Sequence, residues 1–170
     1  MPMLDAYIPD GALSPEAESE LLGRLTDLLL EHEGVDPANL AGRDLAWVFL
    51  HRPEVFVGGS PSAAPRYRFV CQVPEGQYSE KRREAVTAAM TQAVADAEAG
   101  SYPDPSARVW VFTLEIPDGT WGGFGRVVRL PDIYEQVVGP EMRAAAQERL
   151  AAKHHQEAAA LIELARTGPA

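Results

Sequence analysis

The sequence predicts an α+β fold in which one strand–helix–strand (βαβ) unit is used twice. Two pairs of similar segments support this repeat. IPDGALS at 8–14 matches VPEGQYS at 73–79, and AWVF at 46–49 matches VWVF at 109–112. The two strands of each unit should be parallel, with a right-handed crossover through the helix. Two such units predict a four-stranded mixed sheet with two helices on one face, followed by a C-terminal helical tail.

The first unit is predicted over about 2–60. PMLDAYI is typical of a short strand, although its first residue, Pro2, cannot donate to a β-ladder. After a PDG turn, Ser14 and Pro15 with the following acidic residues favour a helix start. This helix should end near Gly34, and LAWVFL is the next strand. The apolar stripe of the helix consists of Leu21, Leu22, Leu25, Leu28 and Leu29.

The second unit follows the same plan over about 66–130. RYRFVCQV predicts a strand, Ser79 caps a helix from about Glu80 to Ala99, and ARVWVFTLEI predicts the last strand. GTWGGFG is read as a turn or hairpin. We therefore expect one domain over 1–135 and a C-terminal helical extension over 136–170.

Composition narrows the classes of function. The formal charge is −10, from 25 acidic and 15 basic residues, which argues against nucleic acid and anionic membranes as partners. No apolar run is long enough to span a membrane, and no secretory signal is visible. A single cysteine, Cys71, forms neither an intrachain disulfide nor a metal site alone. These features predict a cytoplasmic protein without a bound metal.

The sheet face opposite the two helices has no predicted cover. An apolar sheet face needs a packing partner. The alanine-rich tail has only a thin apolar face, so it is a poor cover. We therefore expect self-association through the sheets or their edges.

A duplicated βαβ chain that begins Met-Pro resembles the tautomerase superfamily. The resemblance covers about Pro2 to Pro131 and rests on Pro2, the PDG-x-LS turn, the repeat and the EIPDGTWGGFGR segment. HRPEVFVGG and FGR are similar to the fused members, such as malonate semialdehyde decarboxylase and cis-3-chloroacrylic acid dehalogenase. The resemblance implies a fold like that of 4-oxalocrotonate tautomerase and macrophage migration inhibitory factor (MIF), a homotrimer, and catalysis by an N-terminal proline without a cofactor.

The chemistry of such an amine follows from general principles. Once Met1 is removed, Pro2 carries a secondary amine, which is a strong base and nucleophile. Burial disfavours its protonated form and lowers its pKa toward neutrality. It can then move protons near physiological pH, or form an iminium ion with a carbonyl. If Met1 remains, the nitrogen of Pro2 is an amide without basicity.

The arginines that bind carboxylates in the family are largely missing from this chain. Ala12 and Trp47 occupy two of their positions, and Glu75 and Tyr78 occupy the segment after the third strand. Arg126 and Arg52 are the preferred candidates for substrate binding, with Tyr78 as a hydrogen-bond donor to a carbonyl and Phe112 as an apolar wall. The candidate anion-binding arginines are Arg52, Arg66, Arg68, Arg126 and Arg129.

Three functions remain open from the sequence. The first is a tautomerase, an isomerase that uses Pro2 as general base and acid on an enol or 2-oxo acid. The second is a hydratase or decarboxylase of a small oxo or unsaturated acid on the same proline. The third is a non-catalytic trimeric binding or scaffold protein, since a fold alone does not determine function.

Overall fold

The computed structural model describes residues 2–168. In chain order, the elements are β1 (Met3–Tyr7), α1 (Pro15–Glu33), α2 (Leu40–Asp44), β2 (Trp47–His51), β3 (Phe56–Val57), β4 (Ser60–Pro61), β5 (Tyr67–Pro74), α3 (Glu80–Glu98), β6 (Val109–Ile116), β7 (Gly122–Gly123), β8 (Arg126–Val127), α4 (Leu130–Val137) and α5 (Met142–Thr167). A short 3-10 helix at Pro105–Ala107 precedes β6.

A four-stranded mixed sheet has the strand order β2–β1–β5–β6. β1 is parallel to β2 and antiparallel to β5. The amide of Tyr67 donates to the carbonyl of Arg108, and the amide of Glu75 donates to that of Ile116. In both bonds the acceptor residue follows the donor residue by the same number of positions, so β5 and β6 run in the same direction. The predicted fold class is confirmed.

The two halves repeat closely in their helices. α1 and α3 each have 19 residues, and each begins after a serine whose side chain accepts a backbone hydrogen bond, Ser14 in one and Ser79 in the other. Each ends at a left-handed residue, Gly34 or Ala99. Every position of α3 is displaced from its counterpart in α1 by the same number of residues. The internal repeat predicted from the sequence is therefore confirmed.

The core lies between the helices and one face of the sheet. Alternate residues of β1 and β5 point into it, and both helices supply leucine, valine and methionine side chains. The most buried members are Leu4, Ala6, Ile8, Leu25, Leu29, Phe69, Cys71, Val73, Val86, Met90 and Val94. The core therefore fixes the start of β1, where Pro2 is placed.

A buried ion pair connects the end of α3 to the chain before β6. Both Glu98 and Arg108 are nearly inaccessible to solvent. Arg108 Nη1 lies 2.6 Å from Glu98 Oε1, its Nη2 donates to Oε2, and the Tyr67 hydroxyl donates to Oε1 at 3.0 Å. Arg108 also donates to the carbonyls of Pro65 and Pro103. Every charge in this network has a close partner.

The chain separates into two compact units. Within the described residues, the first comprises 2–73 and 77–115, and the second comprises 74–76 and 116–168. The second contains the hairpin of β7 and β8, which confirms the turn or hairpin read from GTWGGFG, and the α4–α5 pair around Leu130, Tyr134 and Ala146. The sequence-based division into 1–135 and 136–170 stays a prediction.

Candidate functional site

Pro2 is buried at the start of β1. The next residue, Met3, pairs with Trp47 of β2 on one side and with Gln72 of β5 on the other. Because β5 runs antiparallel to β1, the end of β5 at Val73 lies beside Pro2. The predicted catalytic residue is therefore located at one end of the sheet, between two strands.

The same end of the sheet carries a group of ionisable side chains, which we call the proline-end cluster. Cys71 lies opposite Leu4 in the strand register, and Glu115 lies near the end of β6. Glu33 stands at the end of α1 and is fully buried. The cluster consists of Glu33, Cys71, Tyr78, Arg83 and Glu115.

Tyr78 supplies a buried hydroxyl to the proline-end cluster. Its side chain is buried, and its hydroxyl has no hydrogen-bond partner among the residues that the structure describes. Burial raises the pKa of this hydroxyl, and the nearby Cys71 and Glu33 raise it further. The phenol is therefore neutral at physiological pH and retains a proton to donate.

Glu115 and Arg83 hold the start of α3 in place. Glu115 Oε1 accepts from the amide of Tyr78 at 2.9 Å, and its Oε2 accepts from Arg83 Nη2 at 2.8 Å. Arg83 Nη1 donates to the carbonyl of Thr113 at 2.5 Å, and the guanidinium carbon lies 5.4 Å from the centre of the Tyr78 ring. These contacts fix the Tyr78 backbone and place one cation beside its ring.

Cys71 is a packing residue of the cluster. Its sulfur lies 3.6 Å from the sulfur of Met90, and both residues are inaccessible to solvent. Burial, and then the charge of Glu33, raises the pKa of the Cys71 thiol to about 12. The thiol is therefore protonated and is a poor nucleophile at neutral pH.

Arg52 and Phe112 lie elsewhere in the first unit. Arg52 follows His51, which pairs with Tyr7, so it is about 20 Å from Pro2 along the sheet at a rise of about 3.3 Å per residue. It forms a two-point ion pair with Glu18. Phe112 lies on the sheet face that the helices leave uncovered.

Arg126 belongs to β8 in the second unit, where its guanidinium lies 3.8 Å from Asp132. Glu75, which stands where the family resemblance would place a cation, also belongs to this unit. It accepts from the Asp118 amide at 2.7 Å and lies 3.5 Å from Lys153 of α5. The glutamate is therefore engaged by the tail helix of its own unit.

Sequence reasoning missed Glu33, Arg83 and Glu115. Glu33 follows Leu29 by four residues and therefore continues the apolar stripe of α1, which is an unusual position for a carboxylate. That spacing was a usable signal. The pairing of Arg83 with Glu115 had none, because the two residues lie on different elements far apart in sequence.

The side of the sheet away from the helices is rich in exposed apolar side chains. We call it the open sheet face and define it by Trp47 and Phe49 on β2 and by Trp110, Phe112 and Leu114 on β6. Their exposed fractions range from 40% for Phe112 to 65% for Trp110. They form one apolar group on each edge strand, and the hydrogen-bonded Asp5 of β1 and Gln72 of β5 lie between the two groups. Exposed apolar side chains grouped in this way are typical of an interaction site.

Residues 2–168 contain neither a membrane-spanning helix nor a cluster of metal-binding side chains. No helix there combines the length and apolarity needed to cross a membrane. No three His, Cys, Asp or Glu side chains in this range come together as a metal site.

No protein-family model matches the chain, and no curated protein is significantly similar to it. Solved structures are similar. N1, a member of the cis-3-chloroacrylic acid dehalogenase family, has a TM-score of 0.62 at 15% identity, over 86% of this chain and 99% of that chain. Native fused 4-OT has a TM-score of 0.60 at 20% identity, over 74% of this chain and 94% of that chain.

A third similar structure is Pt0534 inactivated by 2-oxo-3-pentynoate, with a TM-score of 0.59 at 24% identity, over 74% of this chain and 94% of that chain. Other fused 4-OT structures are symmetric or asymmetric trimers. At these identities the likeness establishes the fold, and it confirms the fold resemblance identified from the sequence.

Proposed function

We propose that this chain, which has a tautomerase-like fold, is an isomerase that uses the amine of Pro2 as general base and acid. The observation that carries the proposal is the burial of Pro2 at the sheet end that also holds the proline-end cluster. The amine requires removal of Met1. The substrate class is an enol or 2-oxo acid, and the reaction needs no cofactor.

The proposed mechanism is a proton transfer within one small substrate. Burial lowers the pKa of the Pro2 amine, so that it is neutral near physiological pH. It takes the proton from the enol oxygen and delivers a proton to the far carbon of the enol double bond as the carbonyl forms. The Tyr78 hydroxyl donates a hydrogen bond to the same oxygen and stabilises its developing negative charge.

The small number of arginines near Pro2 limits how many carboxylates the substrate can have. Arg83 is the cation of the proline-end cluster, and it is already engaged by Glu115 and Thr113. Arg126 and Arg52 remain proposed substrate-binding residues. Because Arg52 is remote from Pro2 within one chain, it can contribute only where another subunit presents it. These features favour a substrate with one carboxylate. Phe112 is the proposed apolar wall of the site, at a subunit boundary.

The test of this proposal is covalent labelling by 2-oxo-3-pentynoate, the reagent that inactivates Pt0534. We expect a mass increase on the peptide that begins at Pro2, together with loss of phenylpyruvate ketonisation. Intact mass spectrometry must also show that Met1 is removed. A retained Met1, or a label found only on other residues, would refute a role for the Pro2 amine.

Replacement of Tyr78 by phenylalanine should lower kcat for ketonisation by about tenfold to a hundredfold, because it removes one donor to the oxyanion. The free energy of unfolding should change little, since the buried hydroxyl has no hydrogen-bond partner among residues 2–168. Tyr134→Phe is the matched control, because its hydroxyl accepts from Arg149 on α5. An unchanged kcat in Tyr78→Phe would assign this side chain to packing alone.

The open sheet face should mediate a homotrimer. We expect analytical ultracentrifugation to give a species larger than the monomer, and Leu114→Glu to shift it toward monomer by placing a charge in an apolar interface. Leu161→Glu on α5 is the control, because Leu161 is 67% exposed and lies outside this face. A monomeric wild-type protein, or equal effects of both variants, would contradict this assignment.

We also propose a cellular location and a class of partner. The single cysteine supports a cytoplasmic location. The acidic balance of the chain supports a small-molecule partner in place of nucleic acid or membrane.

A further inference from the structure

A groove of about 620 Å³ lies in the first unit at the end of the sheet opposite Pro2. Tyr67, which holds in the second half of the repeat the position that Pro2 holds in the first, is one of its lining residues. A second groove of about 880 Å³ adjoins it and shares Phe56 and Arg66. Pro2 and Tyr67 are therefore related positions of the repeat, and Tyr67 is internal and carries no terminal amine.

The charge of the smaller groove is opposite to that of the chain. Arg66, Arg68 and Arg108 line it, and no aspartate or glutamate does so among the described residues. The charge of Arg108 is matched by Glu98, as described above. The other two arginines leave a positive site on a chain with a formal charge of −10.

Both guanidinium groups keep N–H donors that no described residue accepts from. Arg66 Nη1 donates to the carbonyl of Ala107 at 3.0 Å, and its Nε is buried without a hydrogen-bond partner within residues 2–168. The guanidinium carbon of Arg68 lies 4.8 Å from the centre of the Tyr7 ring and 5.3 Å from that of Phe112. Stacking holds Arg68 in place without using its donors. In the described part of the chain, neither arginine pairs with a carboxylate.

The rest of the groove is apolar and aromatic. Tyr7, Phe56 and Trp110 line it, and the exposed fractions of Phe56 and Trp110 are 59% and 65%. Two arginines beside flat rings fit a ligand with a planar apolar body and one negative group. Guanidinium groups bind carboxylates through paired hydrogen bonds.

We propose that this groove is a second ligand site that binds a small aromatic carboxylate. The carboxylate is held by Arg66 and Arg68, and the ring packs against Phe56, so that Trp110 remains part of the open sheet face. The site is distinct from the Pro2 site and does not depend on its chemistry.

Isothermal titration calorimetry with phenylacetate tests the proposal, with phenylacetamide as the neutral ligand of the same shape. We expect saturable binding of the acid, weaker binding at high salt, and at least about tenfold weaker binding of the amide. Arg66→Gln and Arg68→Gln should each raise Kd by about tenfold. Circular dichroism and thermal unfolding confirm that both variants are folded.

Two control variants show whether phenylacetate binding is specific to this groove. Arg24→Gln changes an exposed arginine on α1 and should leave Kd unchanged. Pro2→Ala separates the two sites: loss of phenylacetate binding in Pro2→Ala, with wild-type binding in both groove variants, would assign the ligand to the Pro2 site and overturn the proposal. Absence of saturable phenylacetate binding, equal binding of the amide, or an unchanged Kd in both groove variants would overturn the proposal. So would loss of self-association in those variants without any ligand binding, which would assign the groove to a second copy of the chain.

Discussion

Replacement of Pro2 by alanine should lower kcat/KM for phenylpyruvate ketonisation by about a hundredfold or more. This is the contribution expected of a well-placed general base. Alanine leaves a primary amine at the terminus and removes the ring that packs at the start of β1. Ultraviolet absorbance of the enol gives the rate, and mass spectrometry shows that both proteins lack Met1.

Pro9→Ala is the matched control for this experiment. Pro9 lies in the turn after β1, at the end of the sheet away from Pro2. It should retain the wild-type rate. If Pro2→Ala retained that rate as well, the ketonisation would not depend on the terminal amine, and the non-catalytic alternative would be favoured.

Replacement of Glu98 by alanine should lower the free energy of unfolding by about 3–5 kcal/mol. The buried Arg108 would lose its counter-charge, and an uncompensated buried charge is strongly destabilising. The Tyr67 hydroxyl would lose its acceptor at the same time. Urea unfolding followed by circular dichroism measures this loss.

An exposed ion pair provides the comparison for this second prediction. Glu31→Ala breaks a 3.5 Å contact with Arg24 whose two side chains are about half exposed. It should change the free energy of unfolding by less than about 0.5 kcal/mol. A loss below about 1 kcal/mol in Glu98→Ala would mean that water or another side chain replaces the missing carboxylate.

The fold was largely predictable because its signals are local. Each signal lies within a short segment: the serine caps, the leucine stripe and the matching turns. The caps and turns also occur in both halves, which strengthens the prediction. Two smaller features had weaker signals. α2 at Leu40–Asp44 has only five residues, and β3 and β4 form a hairpin of two-residue strands in a segment that resembles a linker.

The candidate site was less predictable because its contacts are long-range. The sequence placed Pro2 at the start of a strand and indicated a role for Tyr78. It did not show that Glu115 accepts from the Tyr78 amide, or that His154 of the tail lies 3.1 Å from Glu75. Such pairs depend on which elements meet in three dimensions, and neither periodicity nor composition contains that information.

The antiparallel pairing of β1 with β5 has a consequence for how the chain can be divided. It relates the two halves by an approximate two-fold rotation about a line between these strands. As a result, the segment after β5 lies at the end of the sheet where β1 starts. Pro9–Ala12, after β1, lies at the end where β5 starts. The smaller groove is lined by Tyr7 of the first half and by Arg68 and Trp110 of the second, so neither half alone forms it. Two separately expressed fragments, divided in the 52–66 segment, should therefore lack this groove singly and regain it only when they associate.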